Sequence, residues 1–371
     1  MRAVGILLCA GTSQRMGFDK LTEPLCGKSA IERSMDALVQ GGAEALVCAV
    51  SPMTRAFVEA LPCPVPRRLA PGGETRGASV LAALTAADAW LGDGPCIALI
   101  HDAARCLVPP ALVRACLESA ERFGSGVAAV PVTDTVLRAE EGGAAEVPRA
   151  GLWRMQTPQA FPLRDILAAY RAADAPATDD ATLLLRAGHA PRLIEGGEDN
   201  FKLTTPQDWA RARRLLTRYG TGFDTHRLVE GRPLILAGVR VPFARGLLGH
   251  SDADVLAHAV MDALLGAAAL PDIGHLFPDT DPAYRGADSM ELLKTVVARL
   301  RGERLRPYAV DATLIAQRPR LAPYLPQMRE NLADACGVDP ARVGLKATTT
   351  EGMNDEGRGL CISAQAVASL V

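Results

Sequence analysis

Val4, Gly5, Ile6, Leu7, Leu8 and Cys9 form a nearly unbroken apolar run that stops at Ala10-Gly11. A strand apolar on both faces must be covered on both faces, which places it inside a parallel sheet with helices on either side. The chain then keeps one rhythm. Helical and strand-like stretches alternate over residues 29–39, 45–50, 54–61, 78–87, 97–101, 110–123 and 127–131. That rhythm predicts a doubly wound α/β domain whose ligand site lies at the carboxyl ends of the strands. Polar clusters fall in those places: Gly72-Gly73-Glu-Thr-Arg76-Gly-Ala-Ser79 precedes a helix, and His101-Asp102-Ala-Ala-Arg105 follows a strand.

The first loop, Ala10-Gly11-Thr-Ser-Gln-Arg15-Met-Gly17-Phe-Asp-Lys20, offers backbone N–H groups and two cations, a combination suited to phosphates. It fits neither the dinucleotide fingerprint nor the P-loop. A net charge of -2 without a long basic block argues against a nucleic-acid partner, while a few local Arg and Lys suffice for a small anion. The nine cysteines are scattered without a C-x-x-C pair and read as reduced, buried thiols of a cytoplasmic protein. The N-terminal apolar run reads as a strand rather than a signal peptide, and no run is long enough to span a bilayer, so no membrane is expected.

At 371 residues the chain is longer than a single core usually serves, so two domains are expected. The second opens at Gly220-Thr-Gly222-Phe-Asp224-Thr-His226. On a strand, Asp224 and His226 project from one face, and a carboxylate oxygen and an imidazole nitrogen there suit a divalent metal. A third ligand is available from Gly249-His250-Ser251-Asp252-Ala-Asp254-Val-Leu-Ala-His258, the entry to an apolar helix that Ser251 or Asp252 is expected to cap and that runs to about Leu270. Asp262, one turn beyond His258, would orient a metal-bound imidazole.

Several of these stretches occur together in a known order. Ala10-Gly11 with Arg15-Met16 and Lys20, Arg76-Gly-Ala-Ser79, His101-Asp102-Ala-Ala-Arg105, Asp134-Thr135, Thr157-Pro158-Gln159, Thr178-Asp179-Asp180 and Asp199-Asn200-Phe-Lys202 resemble methylerythritol phosphate cytidylyltransferase, over about residues 2–216. The resemblance implies a Rossmann-like nucleotidyltransferase domain in which a substrate phosphate attacks the α-phosphorus of CTP, with Mg²⁺, and releases pyrophosphate. It implies that Arg15 and Lys20 stabilise the developing charge, and that Ala10, Gly11, Gly73 and Ser79 lie against the nucleotide. Asp102 would lie near the ribose, the metal or both. Arg105, Thr135, Arg149 and Lys202 would grip methylerythritol phosphate, Arg149 and Lys202 also counting among the catalytic groups. The segment 134–159 corresponds to an arm exchanged between dimer partners. Two departures stand out: the usual Pro-Ala-Ala-Gly opening is Leu8-Cys9-Ala10-Gly11, and the loop from Arg15 to Lys20 is short.

The second half resembles methylerythritol cyclodiphosphate synthase over residues 219–371. The likeness is carried by Gly-Phe-Asp224-Thr-His226, the long stretch from Leu247 to Asp281, Gly-Ala-Asp-Ser289 and Lys346-Ala-Thr-Thr-Thr-Glu351. It implies an α+β domain that closes a cyclic diphosphate and expels CMP. Asp224, His226 and His258 would hold Zn²⁺, and Glu351 a Mg²⁺ or Mn²⁺ across the diphosphate. Ala316, Arg320, Ala347, Thr348 and Thr349 would hold the cytidine diphosphate; His250, Ser251, Asp272, Gly274, Phe277, Asp279 and Arg358 would face the rest of the substrate. His250 and Thr349 count among the catalytic groups. Where the family continues Leu-Gly-Phe after the glutamate, this chain has Gly352-Met-Asn-Asp355-Glu356.

The expected organisation is therefore domain 1–217 and domain 218–371, with dimer contacts in the first and trimer contacts in the second, compatible with a closed hexamer. A kinase that phosphorylates the first product before the second half can use it is an expected partner. The rival readings are another nucleotidyl transfer in the first half, a non-catalytic first half, and a zinc hydrolase.

Overall fold

The computed structural model describes residues 1–11, 16–173 and 179–371, so Arg15 lies outside the described residues. The chain separates into two compact units, Met1–Pro24 with Lys28–Ala212, and Leu25–Gly27 with Arg213–Val371.

The first unit begins with β1 (Arg2–Cys9), α1 (Ala30–Gln40), β2 (Ala45–Val50), α2 (Pro52–Ala60) and β3 (Arg67–Pro71). It continues through α3 (Arg76–Leu91), β4 (Cys96–Asp102), α4 (Pro110–Phe123), β5 (Gly126–Pro131), β6 (Val136–Glu140) and β7 (Gly143–Val147). β8 (Trp153–Pro162), α5 (Leu163–Arg171), α6 (Asp180–Arg186), β9 (Leu193–Glu195) and α7 (Pro206–Leu216) follow; the division between the units falls inside α7. Ser29 and Ser51 start α1 and α2 with capping boxes, each side chain taking a backbone N–H three residues on.

Seven strands lie in the order β3-β2-β1-β4-β8-β5-β9. The alternating pattern predicted that architecture, and β1, β2, β3 and β4 are parallel. β8 departs from it by running antiparallel between β4 and β5. The segment expected to be an arm thus divides. β6 and β7 pair as a mostly exposed hairpin, whereas Gln156, Thr157, Gln159 and Phe161 on β8 are buried in the sheet. The polar residues of β8 can be buried because each is satisfied. Gln159 donates to the Gln156 carbonyl and to Asp179 and accepts from Ala181 N–H; Gln156 accepts from Asn200. An apolar count cannot see such a strand.

The second unit contains β10 (Arg218–Glu230), β11 (Leu234–Leu236), β12 (Val239–Val241), β13 (Arg245–Leu247), α8 (Val255–Ala267) and α9 (Ile273–Leu276). It ends with α10 (Ser289–Gly302), β14 (Pro307–Ile315), α11 (Leu325–Cys336), β15 (Val343–Thr348) and β16 (Cys361–Leu370). Five strands lie in the order β13-β10-β16-β14-β15, while β11 and β12 form a separate hairpin. That hairpin turns at Ala237 and Gly238, both with positive φ.

α8 is apolar on nearly every side because it is a core helix: Leu256, Val260, Met261, Leu264 and Leu265 have no solvent exposure. Each such side chain stabilises the fold by about 1.5–3 kcal/mol relative to exposure. It lies directly on β10. A Cβ at Gly220 would stand 2.2 Å from the Ala263 carbonyl oxygen, and one at Gly222 2.0 Å from that of Ala259, so only glycine permits the approach. The helix starts later than expected. Asp254, rather than Ser251 or Asp252, is its N-cap and accepts from Ala257 N–H, and the helix ends at Ala267.

All nine cysteines are free, and seven of them are buried. Among the described residues no helix is long and apolar enough to cross a membrane.

Candidate functional sites

Each unit gathers its own set of polar residues. In the first, the carboxyl ends of the neighbouring strands β1 and β4 bring Ala10-Gly11 and Asp102 to one end of the sheet, Leu8 standing opposite Asp102 in the register. The Gly72-Gly73 loop is folded back there: Gly72 N–H donates to the Val50 carbonyl, and Gly73 N–H to Ser79 Oγ on the first turn of α3.

Asp102 accepts from Arg76 Nε at 3.0 Å and from Lys202 Nζ at 2.8 Å. Burial works against its ionisation, but the two cations prevail and hold the carboxyl well below the usual carboxylate range. The other edge of the Arg76 guanidinium meets Asp180 with both terminal nitrogens, at 2.8 and 2.7 Å, and the Tyr170 hydroxyl donates to the same carboxylate. The neighbouring His101 is fully buried, with Nδ1 against Thr157 Oγ1 and Nε2 against the Arg105 carbonyl; burial pushes its imidazole down to about 4.

The remaining candidates of this unit are spread more widely. Arg105 donates to the Asn200 carbonyl at 2.8 Å, which ties the loop after β4 to the Asn200–Lys202 stretch. Lys20 is half-buried; Thr135 and Arg149 are exposed beside the β6–β7 hairpin, and Arg149 donates to the Thr133 carbonyl. The ion-paired fork of Arg76, with Asp180 and Tyr170, was not nominated by sequence. Its signal was present only as charge within motifs read for other purposes.

In the second unit β10 and α8 bring three donor atoms together. Asp224 Oδ2 lies 2.9 Å from His226 Nε2 and 3.0 Å from His258 Nδ1, and the two imidazole nitrogens are 3.2 Å apart. Ligand atoms around a tetrahedral Zn²⁺ at about 2.0–2.1 Å stand roughly 3.3 Å from one another. The donor set and its spacing thus fit such an ion, and Asp224, His226 and His258 form the candidate metal group among the described residues. Burial disfavours charge on both Asp224 and His258, yet their hydrogen bond outweighs it. The Asp224 carboxyl, also bonded to His226, is held well below the usual range and the His258 imidazole is raised.

The second ring nitrogen of His258 is not oriented by Asp262, whose carboxylate instead accepts the Ile273 N–H at the start of α9. A helical neighbour one turn away shares the face, but the loop at Ser251 and the start of α10 hold this nitrogen. His258 Nε2 meets Ser289 Oγ at 3.0 Å and Ser251 Oγ at 3.3 Å.

The cytidine-site candidates converge in part. β14 and β15 are parallel neighbours, and Ala316 N–H donates to the Thr348 carbonyl at their ends, beside exposed Ala347 and Thr349. Arg320 is exposed beyond β14. Glu351 has positive φ, accepts from Thr349 Oγ1 and does not belong to the Asp224 group. Arg358 pairs with Asp355 in the altered loop. His250 Nε2 faces the Asp281 carbonyl, Asp272 caps α9, Phe277 stacks edge-on against Tyr284, and Gly274 and Asp279 are exposed nearby in sequence.

Comparison with known proteins covers both units. Residues 3–218 match the family described as 2-C-methyl-D-erythritol 4-phosphate cytidylyltransferase, and residues 217–371 match the YgbB family. The bifunctional enzyme IspD/IspF of Desulforudis audaxviator is 43% identical over 391 residues, covering 99% of this chain and 96% of that protein. That of Anaeromyxobacter dehalogenans is 44% identical over 386 residues, covering 100% and 98%. Among solved structures, the bifunctional IspDF from Campylobacter jejuni is 30% identical with a TM-score of 0.49, covering 100% of this chain and 98% of that one. The chain belongs to the bifunctional IspD/IspF family, joining a 2-C-methyl-D-erythritol 4-phosphate cytidylyltransferase domain to a YgbB-family domain.

Proposed function

We propose that residues 1–217 convert CTP and methylerythritol 4-phosphate to CDP-methylerythritol and pyrophosphate, and that residues 218–371 convert CDP-methylerythritol 2-phosphate to the 2,4-cyclodiphosphate and CMP. The steps are not consecutive, since a kinase must act between them. The observation that carries this reading is the meeting of Asp224 Oδ2, His226 Nε2 and His258 Nδ1 within 3.2 Å of one another.

In the first half a phosphate oxygen of methylerythritol phosphate attacks the α-phosphorus of CTP as the bond to pyrophosphate breaks. Charge gathers on phosphoryl oxygens, so Arg15 and Lys20 stabilise it there, with Mg²⁺ supplying further neutralisation. Ala10, Gly11, Gly73 and Ser79 pack against the nucleotide, and Arg105, Thr135, Arg149 and Lys202 hold the acceptor. Lys202 is already anchored by Asp102.

In the second half the 2-phosphate attacks the other phosphate arm, the ring closes and CMP leaves. Holding the substrate folded back on itself is the main requirement. A Zn²⁺ held by Asp224, His226 and His258 and a Mg²⁺ or Mn²⁺ held with Glu351 supply Lewis acidity to the phosphate oxygens. Ala316, Arg320, Ala347, Thr348 and Thr349 seat the cytidine diphosphate. His250, Ser251, Asp272, Gly274, Phe277, Asp279 and Arg358 enclose the methylerythritol phosphate end. The assembly combines dimer contacts of the first half with trimer contacts of the second in a cytoplasmic hexamer.

Two assays on the full chain test the reading. Pyrophosphate release from CTP with methylerythritol 4-phosphate, and not with other sugar phosphates, is expected, together with CMP release from CDP-methylerythritol 2-phosphate. Asp224→Ala abolishes the second and spares the first. A chain that makes cyclodiphosphate but releases no pyrophosphate contradicts the first-half assignment. A monomeric mass by light scattering contradicts the hexamer.

A further inference from the structure

Two stretches of the second unit meet behind the metal-ligand cluster. Gly286 N–H donates to the His250 carbonyl and Asp252 N–H to the Ala287 carbonyl, so residues 250–252 and 286–287 are fixed in register. Asp288 then caps α10, accepting from Met290 N–H, and Ser289 enters the first turn with no solvent exposure. Its side chain is placed between two others. Ser289 Oγ donates to Asp252 Oδ1 at 2.5 Å, and His258 Nε2 lies 3.0 Å from the same oxygen.

The hydrogens can be assigned from this geometry. Asp252 is an acceptor on both oxygens, taking the Ser289 N–H on Oδ2 and the Asp254 N–H on Oδ1. The single hydrogen of the Ser289 hydroxyl is therefore spent on Asp252, and toward His258 the oxygen can only accept. His258 Nε2 therefore donates to Ser289 Oγ, so that when an ion replaces the hydrogen that Nδ1 shares with Asp224, the neutral ring keeps its hydrogen on Nε2 and offers the Nδ1 lone pair. Nδ1 is the atom facing Asp224 and His226.

We propose that Asp252 and Ser289 are positioning residues of the metal centre, acting as a two-step relay that locks His258 in the Nε2–H tautomer and aims Nδ1 at the ion. The proposal rests on the metal-centre reading of Asp224, His226 and His258. Sequence alone pairs His258 with Asp262, its helical neighbour. The fold pairs it instead with a serine and an aspartate from two stretches that sequence singled out without giving them this role.

The test is a Zn²⁺ titration of the metal-free full chain against a chromogenic chelator, with a urea midpoint for each metal-free variant. Wild type should bind an ion that His226→Ala loses. Ser289→Ala and Asp252→Ala should each weaken that ion by about 10–100-fold, the usual effect of removing an outer hydrogen-bond partner. Ser289→Thr, which restores the hydroxyl, should recover most of the affinity. Loading with Co²⁺ gives a second readout: the visible d–d bands of Ser289→Ala should shift from those of wild type, because the imidazole is no longer held in one orientation. Unchanged affinity and bands in both alanine variants, with only the urea midpoint lowered, would falsify the relay and leave the residues as packing. Wild type binding no ion that depends on His226 overturns the metal-centre reading and the relay with it.

Discussion

Asp180 has no solvent exposure and accepts from both terminal nitrogens of Arg76 and from the Tyr170 hydroxyl. Its partner shares a second carboxylate, Asp102, which also holds Lys202. The four charges balance as two pairs, and removing one acid leaves a guanidinium three-quarters buried with half its compensation. Asp180→Asn is therefore expected to cost the first unit about 3 kcal/mol, the scale found when one partner of a buried pair is removed. The measurement is a urea unfolding curve followed by tryptophan fluorescence, since Trp90, Trp153 and Trp209 all lie in the first unit. Pyrophosphate release should fall as well, through loss of the fixed positions of Asp102 and Lys202. An unchanged midpoint would show that Asp102 alone suffices for Arg76.

Among the elements, α8 and β10 set the metal ligands through backbone contact rather than through long side chains. Gly222→Ala places a methyl 2.0 Å from the Ala259 carbonyl, one residue from His258. Overpacking of this kind typically costs about 1–3 kcal/mol, and the helix can relieve it only by moving off the strand that carries Asp224 and His226. Both the urea midpoint of the metal-free second unit and the zinc affinity are expected to fall together; loss of stability at constant affinity would mean that the strain is absorbed elsewhere.

The regular elements were legible wherever apolar periodicity was clean: 45–50 and 110–123 match β2 and α4. Asp224, His226 and His258 were legible as well, because strand alternation fixes two of them and a helix start the third. β8 was not, since its buried stretch begins with Gln156, Thr157 and Gln159, whose burial depends on partners far away in sequence. The Asp252–Ser289 pair was hidden for the same reason: the hydrogen bond spans 37 residues. Arg76, Asp180 and Tyr170 likewise come together only across the fold.

For the molecule as a whole, two buried groups give the units opposite responses to acid. Burial lowers His101 to about 4 from 6.5, so the unfolded chain takes the proton first; this group's stabilisation is complete above about pH 6.5 and is lost as pH falls toward 4. Burial raises Asp254 to about 6 from 3.8, so the folded form takes the proton first; its contribution is largest below about pH 4 and is lost as pH rises through 6. In the metal-free chain, acidification from pH 6.5 to 4 should lower the fluorescence midpoint of the first unit. Hydrogen exchange at the amides of α8, in the second unit, should slow relative to the intrinsic rate over the same range. Parallel weakening of both would contradict the assignment. The order of strands in the second sheet carries a different consequence, for synthesis on the ribosome. β10 is paired along ten residues with β16, whereas the first sheet draws all its strands from before residue 196. A nascent or prematurely terminated chain can complete its first fold while β10, with the backbone edge that β16 will cover left unpaired, still waits for its neighbour. Such fragments should sediment with chaperones or aggregates, which makes the second half the point of vulnerability whenever translation stalls.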